Sequence, residues 1–147
     1  MMRLGLMMFA TALAFGLTAN SMAAEQTQPR KLVAPVRGDA AIEITAPDTK
    51  VGGNEIVTTI RVRNVSPGPI AGFRVQENWY DKAGNASAGD SYRHLRPLQK
   101  DEAIVITLKT PRSLAVGKRN QYQFSHANGN VKPKTVPKID VPKPPPN

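Results

Sequence analysis

The stretch that decides the fold runs from Glu55 to Asp81 and reads EIVTTIRVRNVSPGPIAGFRVQENWYD. Apolar and polar residues alternate on both sides of Ser66-Pro67-Gly68-Pro69, and a period of two indicates half-buried β-strands. Because proline and glycine restrict or free the backbone in ways that end strands, these four residues predict a turn. The sequence therefore predicts two long strands, each with one apolar side that a second layer must cover.

Joining the two strands as a hairpin gives a specific register. If Val65 pairs with Ile70, side chains two residues apart share a face, and the apolar residues of both strands gather on one side. These predicted core residues are Ile56, Ile60, Val62, Phe73, Val75 and Trp79. The same register places Arg61 directly opposite Arg74 on the outward face.

Shorter alternating runs predict further strands around this pair. Ala41 to Thr45, Glu102 to Thr110 and Asn120 to Ala127 all alternate, and turn residues separate them. They add Ile104, Ile106, Leu108 and Phe124 to the predicted core. Since no stretch keeps a helical period, the sequence predicts an all-β domain over residues 40–136, built as an antiparallel β-sandwich of about seven strands.

The two ends of the chain have different compositions from this domain. Arg3 followed by the uncharged apolar run Leu4 to Leu17 predicts a signal peptide over residues 1–23, cleaved before Ala24. An uncleaved N-terminal anchor is the alternative, and no later segment is apolar enough to cross a membrane. Residues 24–39 read as a flexible linker, and residues 137–147 as a proline-rich disordered tail. We expect a periplasmic or secreted protein.

Composition narrows the classes of function. The chain has no cysteine and a formal net charge of +9. The first fact excludes disulfides, thiol enzymes and cysteine-ligated metals. The second makes polyanions plausible partners, including phospholipid headgroups, acidic glycans and nucleic acid, although a basic surface also serves solubility.

Several short motifs resemble the FxLYD-type immunoglobulin-like modules of secreted bacterial proteins. The matching residues are Asn64, Tyr80-Asp81, Gly84, Leu95-Arg96-Pro97-Leu98 and Glu102. Trp79 replaces the leucine of the family motif, Glu77 replaces its phenylalanine, and Gln99-Lys100-Asp101 replaces the usual glycine turn. The resemblance implies an extracytoplasmic immunoglobulin-like sandwich without known catalysis, so it assigns no active-site residue.

Arginines form the most unusual predicted surface. We name Arg61, Arg63, Arg74, Arg93 and Arg96 as a candidate anion-binding patch. Like charges directly opposed on neighbouring strands destabilise a sheet, so they are compensated by a bound anion, by solvent, or by a nearby carboxylate of Glu43, Glu55 or Asp101. Aromatic residues do not alternate with these arginines, which argues against a nucleic-acid partner.

Glu77, His94 and His126 are the candidates for acid–base chemistry. The register above places Glu77 on the apolar face opposite Thr58, where it is either a general acid or a carboxylate paired with an arginine or turned outward by a bulge. The histidines lack metal-ligand spacing, so we predict no metal and no cofactor.

These patterns favour one function and leave two alternatives. We expect an exported, non-catalytic β-sandwich that binds or supports another envelope macromolecule, either an envelope protein or an anionic envelope polymer. The first alternative is an anion-binding protein that uses the basic sheet face and the tail. The second is a small hydrolase that uses Glu77 with His94 or His126.

Overall fold

The computed structural model describes residues 32–115 and 119–143. The predicted signal peptide and residues 144–147 of the predicted tail lie outside the described residues. The elements are β1 (Ala40–Ile44), β2 (Asp48–Gly52), β3 (Glu55–Asn64), β4 (Arg74–Tyr80), β5 (Ala86–Arg93), β6 (Ala103–Pro111), the four-residue helix α1 (Arg112–Ala115), β7 (Arg119–His126) and β8 (Gly129–Thr135). Within these ranges, no helix has the length and apolar character needed to span a membrane.

Two strands, β3 and β4, are the centres of the two halves of a curled sheet. β6 pairs with one edge of β3 along nearly the whole of β3. β1 and β2 pair with β3 one after the other, β2 at its start and β1 at its end. β4 lies between β5 and β7, and β8 joins the halves by pairing with both β7 and β1. The all-β prediction is confirmed, but the sheet is mixed because β1 and β8 run parallel.

The predicted hairpin between β3 and β4 is wrong. Arg61 lies opposite Val105 of β6, and Arg74 lies opposite Arg93 of β5. The connecting loop instead crosses between the two halves. The buried amide of Asn64 fixes its course, because Nδ2 donates hydrogen bonds to the carbonyl oxygens of Gly68 (3.0 Å) and Leu98 (2.9 Å). Alternation shows which side of a strand faces inward, but it does not show which strand lies beside it.

The predicted core side chains nevertheless come together, in clusters that include strands of both halves. Ile60, Val62, Phe73, Val75, Ile106 and Leu108 are fully buried in one main cluster. Ile104 and Phe124 are partly buried against it. Ile56 and Trp79 form a second, smaller cluster with Ala115 of α1.

Segments at both ends pack against the domain. The backbone N–H of Val36 donates to Pro69 O (2.9 Å), and that of Gly38 donates to Asn128 O (2.9 Å). Ile139 is fully buried, and its carbonyl accepts a hydrogen bond from Arg61 Nη1 (3.1 Å). Val36 and Ile139 are thus buried within the segments 24–39 and 137–147, which the sequence predicts as a flexible linker and a disordered tail. In both segments, an apolar side chain within a polar, proline-containing stretch provides the anchor.

Candidate functional site

The outer surface of β5, β4 and β7 is the most distinctive polar surface of the described chain, and we call it the open face. Strand alternation turns Val75, Glu77 and Trp79 of β4 inward, so the residues between them and their partners on the neighbouring strands point outward. The outward residues are Arg74, Gln76, Asn78 and Tyr80 of β4, Gly89, Ser91 and Arg93 of β5, and Arg119, Gln121, Gln123 and Ser125 of β7. None of them is acidic.

Arg74 and Arg93 form the basic end of the open face. They are direct cross-strand neighbours, and both are exposed. Within residues 32–115 and 119–143, neither forms a salt bridge with a carboxylate. Both line a depression of 460 Å³, together with Gln76, Ser91, Gln123 and Ser125. Two like charges held side by side without a carboxylate leave this end of the face suited to an anion.

The other predicted arginines have partners within the molecule. Arg63 Nη1 lies 3.6 Å from Glu43 Oε2, Arg61 donates to the Ile139 carbonyl, and Arg96 forms a bidentate pair with Glu102. We call the outer surface of β3 around Arg61 and Arg63 the covered face, because the segment 137–143 reaches it. The five predicted arginines therefore do not form one patch: the structure brings only Arg74 and Arg93 together as cross-strand neighbours.

Acidic groups contribute to the neutralisation of the covered face. The pKa of Asp140 is lowered, first by its hydrogen bond with Lys138 and then by the charge of Lys138. The positive charges of Arg61 and Arg63 lower it further. Asp140 and Glu43 thus supply carboxylates on the covered face, whereas the open face has none.

Glu77 lies inside the fold and is completely buried. Oε1 accepts hydrogen bonds from Thr58 Oγ1 (3.0 Å), Tyr122 OH (3.0 Å) and Asn120 Nδ2 (3.4 Å). Oε2 accepts one from Thr110 Oγ1 (2.9 Å). Four donors match the capacity of a carboxylate, so Glu77 forms the centre of a polar layer between the two apolar clusters. Of the three predicted alternatives for this residue, the arginine partner and the outward turn do not describe it, because its partners are hydroxyl and amide groups inside the fold.

The position of Tyr122 in the polar layer changes the pKa of its hydroxyl group. Burial raises the pKa of Tyr122, and the adjacent charge of Glu77 contributes to the same increase. Tyr122 therefore keeps its hydroxyl proton at neutral pH and donates it in the hydrogen bond to Glu77 Oε1. The layer links β3, β4, β6 and β7 through side chains, and its contacts are those of a structural network.

The two histidines lie apart from Glu77. His94 Nδ1 is 2.8 Å from Tyr92 OH, and burial lowers the pKa of His94. His126 Nε2 lies 2.7 Å from the Gly38 carbonyl, while its Nδ1 accepts from Asn128 N (3.3 Å). Because neither ring is hydrogen-bonded to Glu77, the geometry does not assemble the carboxylate–histidine pair that a hydrolase would need.

Sequence reasoning missed the amide-bearing side chains of the open face. Gln76, Asn78, Gln121 and Gln123 lie together in two adjacent cross-strand pairs. The glutamines at every second position of Asn120-Gln121-Tyr122-Gln123 were the available signal, because an alternating strand places them on one surface. Among the described residues, no group of three or more acidic or histidine side chains is placed to hold a metal ion.

Comparison with known proteins gives no match to a family model, to a curated protein or to a solved structure.

Proposed function

We propose that this chain is an exported, non-catalytic binding module that contacts an anionic macromolecule of the cell envelope through its open face. The observation that carries this proposal is the direct pairing of Arg74 with Arg93 on a surface without carboxylates. An oxyanion placed between the two guanidinium groups removes their mutual repulsion and receives charge-assisted hydrogen bonds.

We also propose that the curled sheet is an immunoglobulin-like sandwich of the FxLYD type. The arrangement of β1, β3 and β6 against β8, β7, β4 and β5 supports this assignment, because such folds pack two sheets in this manner. Asp101 offers further support: its φ of 61° is one that glycine adopts easily, and the family has a glycine in this turn. Residues 1–23 act as the signal peptide in this proposal, so N-terminal sequencing of the exported chain is expected to begin at Ala24.

Two double variants test the binding role of the open face. In Arg74→Gln/Arg93→Gln the charges of the open face are removed, while in Arg61→Gln/Arg63→Gln the same number of charges is removed from the covered face. Binding to immobilised dextran sulfate at fixed ionic strength is expected to weaken at least about 10-fold in the first variant, since charge-assisted hydrogen bonds contribute about 1.5–3 kcal/mol each. The second variant is expected to stay within about 2-fold of the parent chain.

Equal losses in the two variants would assign binding to diffuse charge and reject the open face as the site. Raising the salt concentration supplies an independent check. The salt dependence of binding should become weaker in Arg74→Gln/Arg93→Gln and should be unchanged in the covered-face variant, because only contacting charges release counterions.

A further inference from the structure

We propose that the anionic partner is an acidic polysaccharide that lies along β4, with acid groups at the arginines and hydroxyl groups on the amide side chains between them. This inference rests on the proposed function and names the class of ligand that the open face would take.

The centre of the open face carries amides rather than charges. Gln76 lies opposite Gln123, and Asn78 lies opposite Gln121. Gln76 Nε2 donates to Asn78 Oδ1 (3.1 Å), which fixes the orientation of both groups and leaves Gln76 Oε1 and Asn78 Nδ2 directed to other partners. An amide offers both donors and acceptors, as a sugar hydroxyl does, so a row of amides suits a polyhydroxylated chain.

Arginines stand at both ends of this amide row. Arg74 and Arg93 mark one end, and Arg119, opposite Tyr80, marks the other. The six residue steps from position 74 to position 80 extend about 20 Å along the strand. A polymer with repeated acid groups can contact both ends at once, whereas a single small anion can contact only one.

Two adjoining depressions extend along β4 and β5 from Arg74 as far as Asn78. The depression at Arg74 adjoins a second one of 420 Å³, and the two share Gln76 and Ser91. Ala88 and Gly89 line the second depression, and so do Glu77 and Asp90, which occupy the inward positions of β4 and β5. The carboxylate of Asp90 accepts hydrogen bonds from the backbone N–H groups of Ser91 and Lys109. A Cβ atom at Gly89 would lie 2.1 Å from the backbone oxygen of Glu77, so the strand has no space for a side chain there. The backbone of β5 at Gly89 is thus exposed beside Asn78, at the edge of the amide row.

Lipid and protein partners fit this face less well. The large apolar side chains that are exposed in the described chain all lie elsewhere: Leu32, Val33, Val51, Val65, Leu95, Val105 and Leu114. Membrane binding by insertion and tight protein–protein contacts both depend on such groups. A polar, amide-rich surface with arginines at its ends complements an acidic glycan better than either.

Binding to four probes tests the inference: polygalacturonate, poly-L-glutamate of similar charge, uncharged dextran, and phosphatidylglycerol vesicles. The chain is expressed with its own N-terminal segment so that export and any cleavage proceed. We expect polygalacturonate to bind at least about 10-fold more tightly than poly-L-glutamate, because only the polysaccharide presents hydroxyl groups to the amides. Dextran and the vesicles are expected to bind more weakly than both.

Variants separate this inference from the proposed function. Gln76→Ala/Gln123→Ala should weaken polygalacturonate binding about 5- to 10-fold and change poly-L-glutamate binding less than about 2-fold. Gln121→Ala serves as an independent second variant, and Thr107→Ala, exposed on β6, is the matched control that should change neither. Thermal unfolding of each variant establishes that the fold is retained.

Each outcome has one meaning. Equal binding of the two polymers, or equal losses in the amide variants, overturns the polysaccharide assignment while leaving an anion-binding open face. If the vesicles bind most tightly, the open face is assigned to lipid headgroups, and the polysaccharide assignment is again overturned. If Arg74→Gln/Arg93→Gln alters binding to none of the probes, the proposed function fails together with the inference.

Discussion

The open face and the covered face both carry arginines, but only the arginines of the covered face have partners within the molecule. On the covered face, Arg61 donates to the carbonyl of Ile139, and Arg63 lies near Glu43. On the open face, Arg74 and Arg93 lie side by side with no carboxylate partner among the described residues. The difference teaches that the number of arginines on a sheet says little about binding, because internal partners can satisfy them before any ligand arrives.

Replacing Glu77 by leucine is expected to give the largest effect, because it removes the support beneath the open face. The hydroxyl groups of Thr58, Thr110 and Tyr122 would lose their buried acceptor, at a cost of about 1–3 kcal/mol for each group left unsatisfied. We expect the free energy of unfolding, measured in urea, to fall by about 3 kcal/mol or more. Glu77→Gln keeps one carbonyl acceptor and should cost less.

The same variant distinguishes the structural role of Glu77 from the binding role of the open face. The fraction of Glu77→Leu that stays folded should bind dextran sulfate as the parent chain does, because the outward residues are unchanged. An unfolding free energy equal to that of the parent chain would contradict the structural role assigned to Glu77.

Ending the chain at Val136 should turn the covered face into a second binding surface. Loss of Ile139 removes a fully buried side chain, which costs about 1.5–3 kcal/mol, and it releases Arg61 from its backbone acceptor. We expect lower stability together with tighter binding to dextran sulfate, measured by calorimetry. Weaker binding in the shortened chain would mean that the C-terminal segment itself holds the polymer.

Stability should respond to single arginine changes in opposite directions on the two faces. Arg74→Gln relieves a like-charge pair and is expected to stabilise the fold by about 0.2–1 kcal/mol. Arg63→Gln removes a half-buried ion pair with Glu43 and is expected to destabilise the fold by no more than about 1 kcal/mol. Chemical denaturation of the two variants in parallel provides the measurement, and changes of the same sign would contradict the contrast between the faces.

His94 should give the smallest effect, and it concerns neither face. Burial lowers its pKa below the ordinary value of 6.5, with the charge of Glu102 acting in the opposite direction. The folded state therefore binds fewer protons than the unfolded state, so the stabilisation is complete above pH 6.5 and is lost as the pH falls through the lowered pKa. His94→Asn should flatten this part of the stability profile; an unaltered profile would exclude His94 as its source.

The sequence predicted burial better than it predicted neighbours. Alternation identified Ile60, Val62, Phe73 and Val75 as core residues, because the pleat of a strand requires a period of two. The strand pairing depends on the course of the loop after Asn64, which buried hydrogen bonds to distant carbonyls determine. No local pattern encodes those bonds.

The sequence identified individual residues of the open face but not their arrangement. Arg74 and Arg93 were both named from the sequence, but their direct opposition follows from the pairing of β4 with β5. The predicted hairpin of β3 with β4 placed Arg61 beside Arg74. In the fold the two residues lie apart, because Arg61 pairs with Val105 of β6. The amide row was visible as alternating glutamines in β7, yet its meaning depends on Gln76 and Asn78 lying beside it.

Mapping amide chemical shifts by NMR during titration with polygalacturonate tests the central claim most directly. We predict that the shifts concentrate on Arg74, Gln76, Ser91, Arg93 and Gln123 of the open face, while Arg61, Arg63 and Thr107 stay unperturbed. Shifts centred on β3 and β6, or no shifts at concentrations where dextran sulfate binds, would contradict the assignment of binding to the open face.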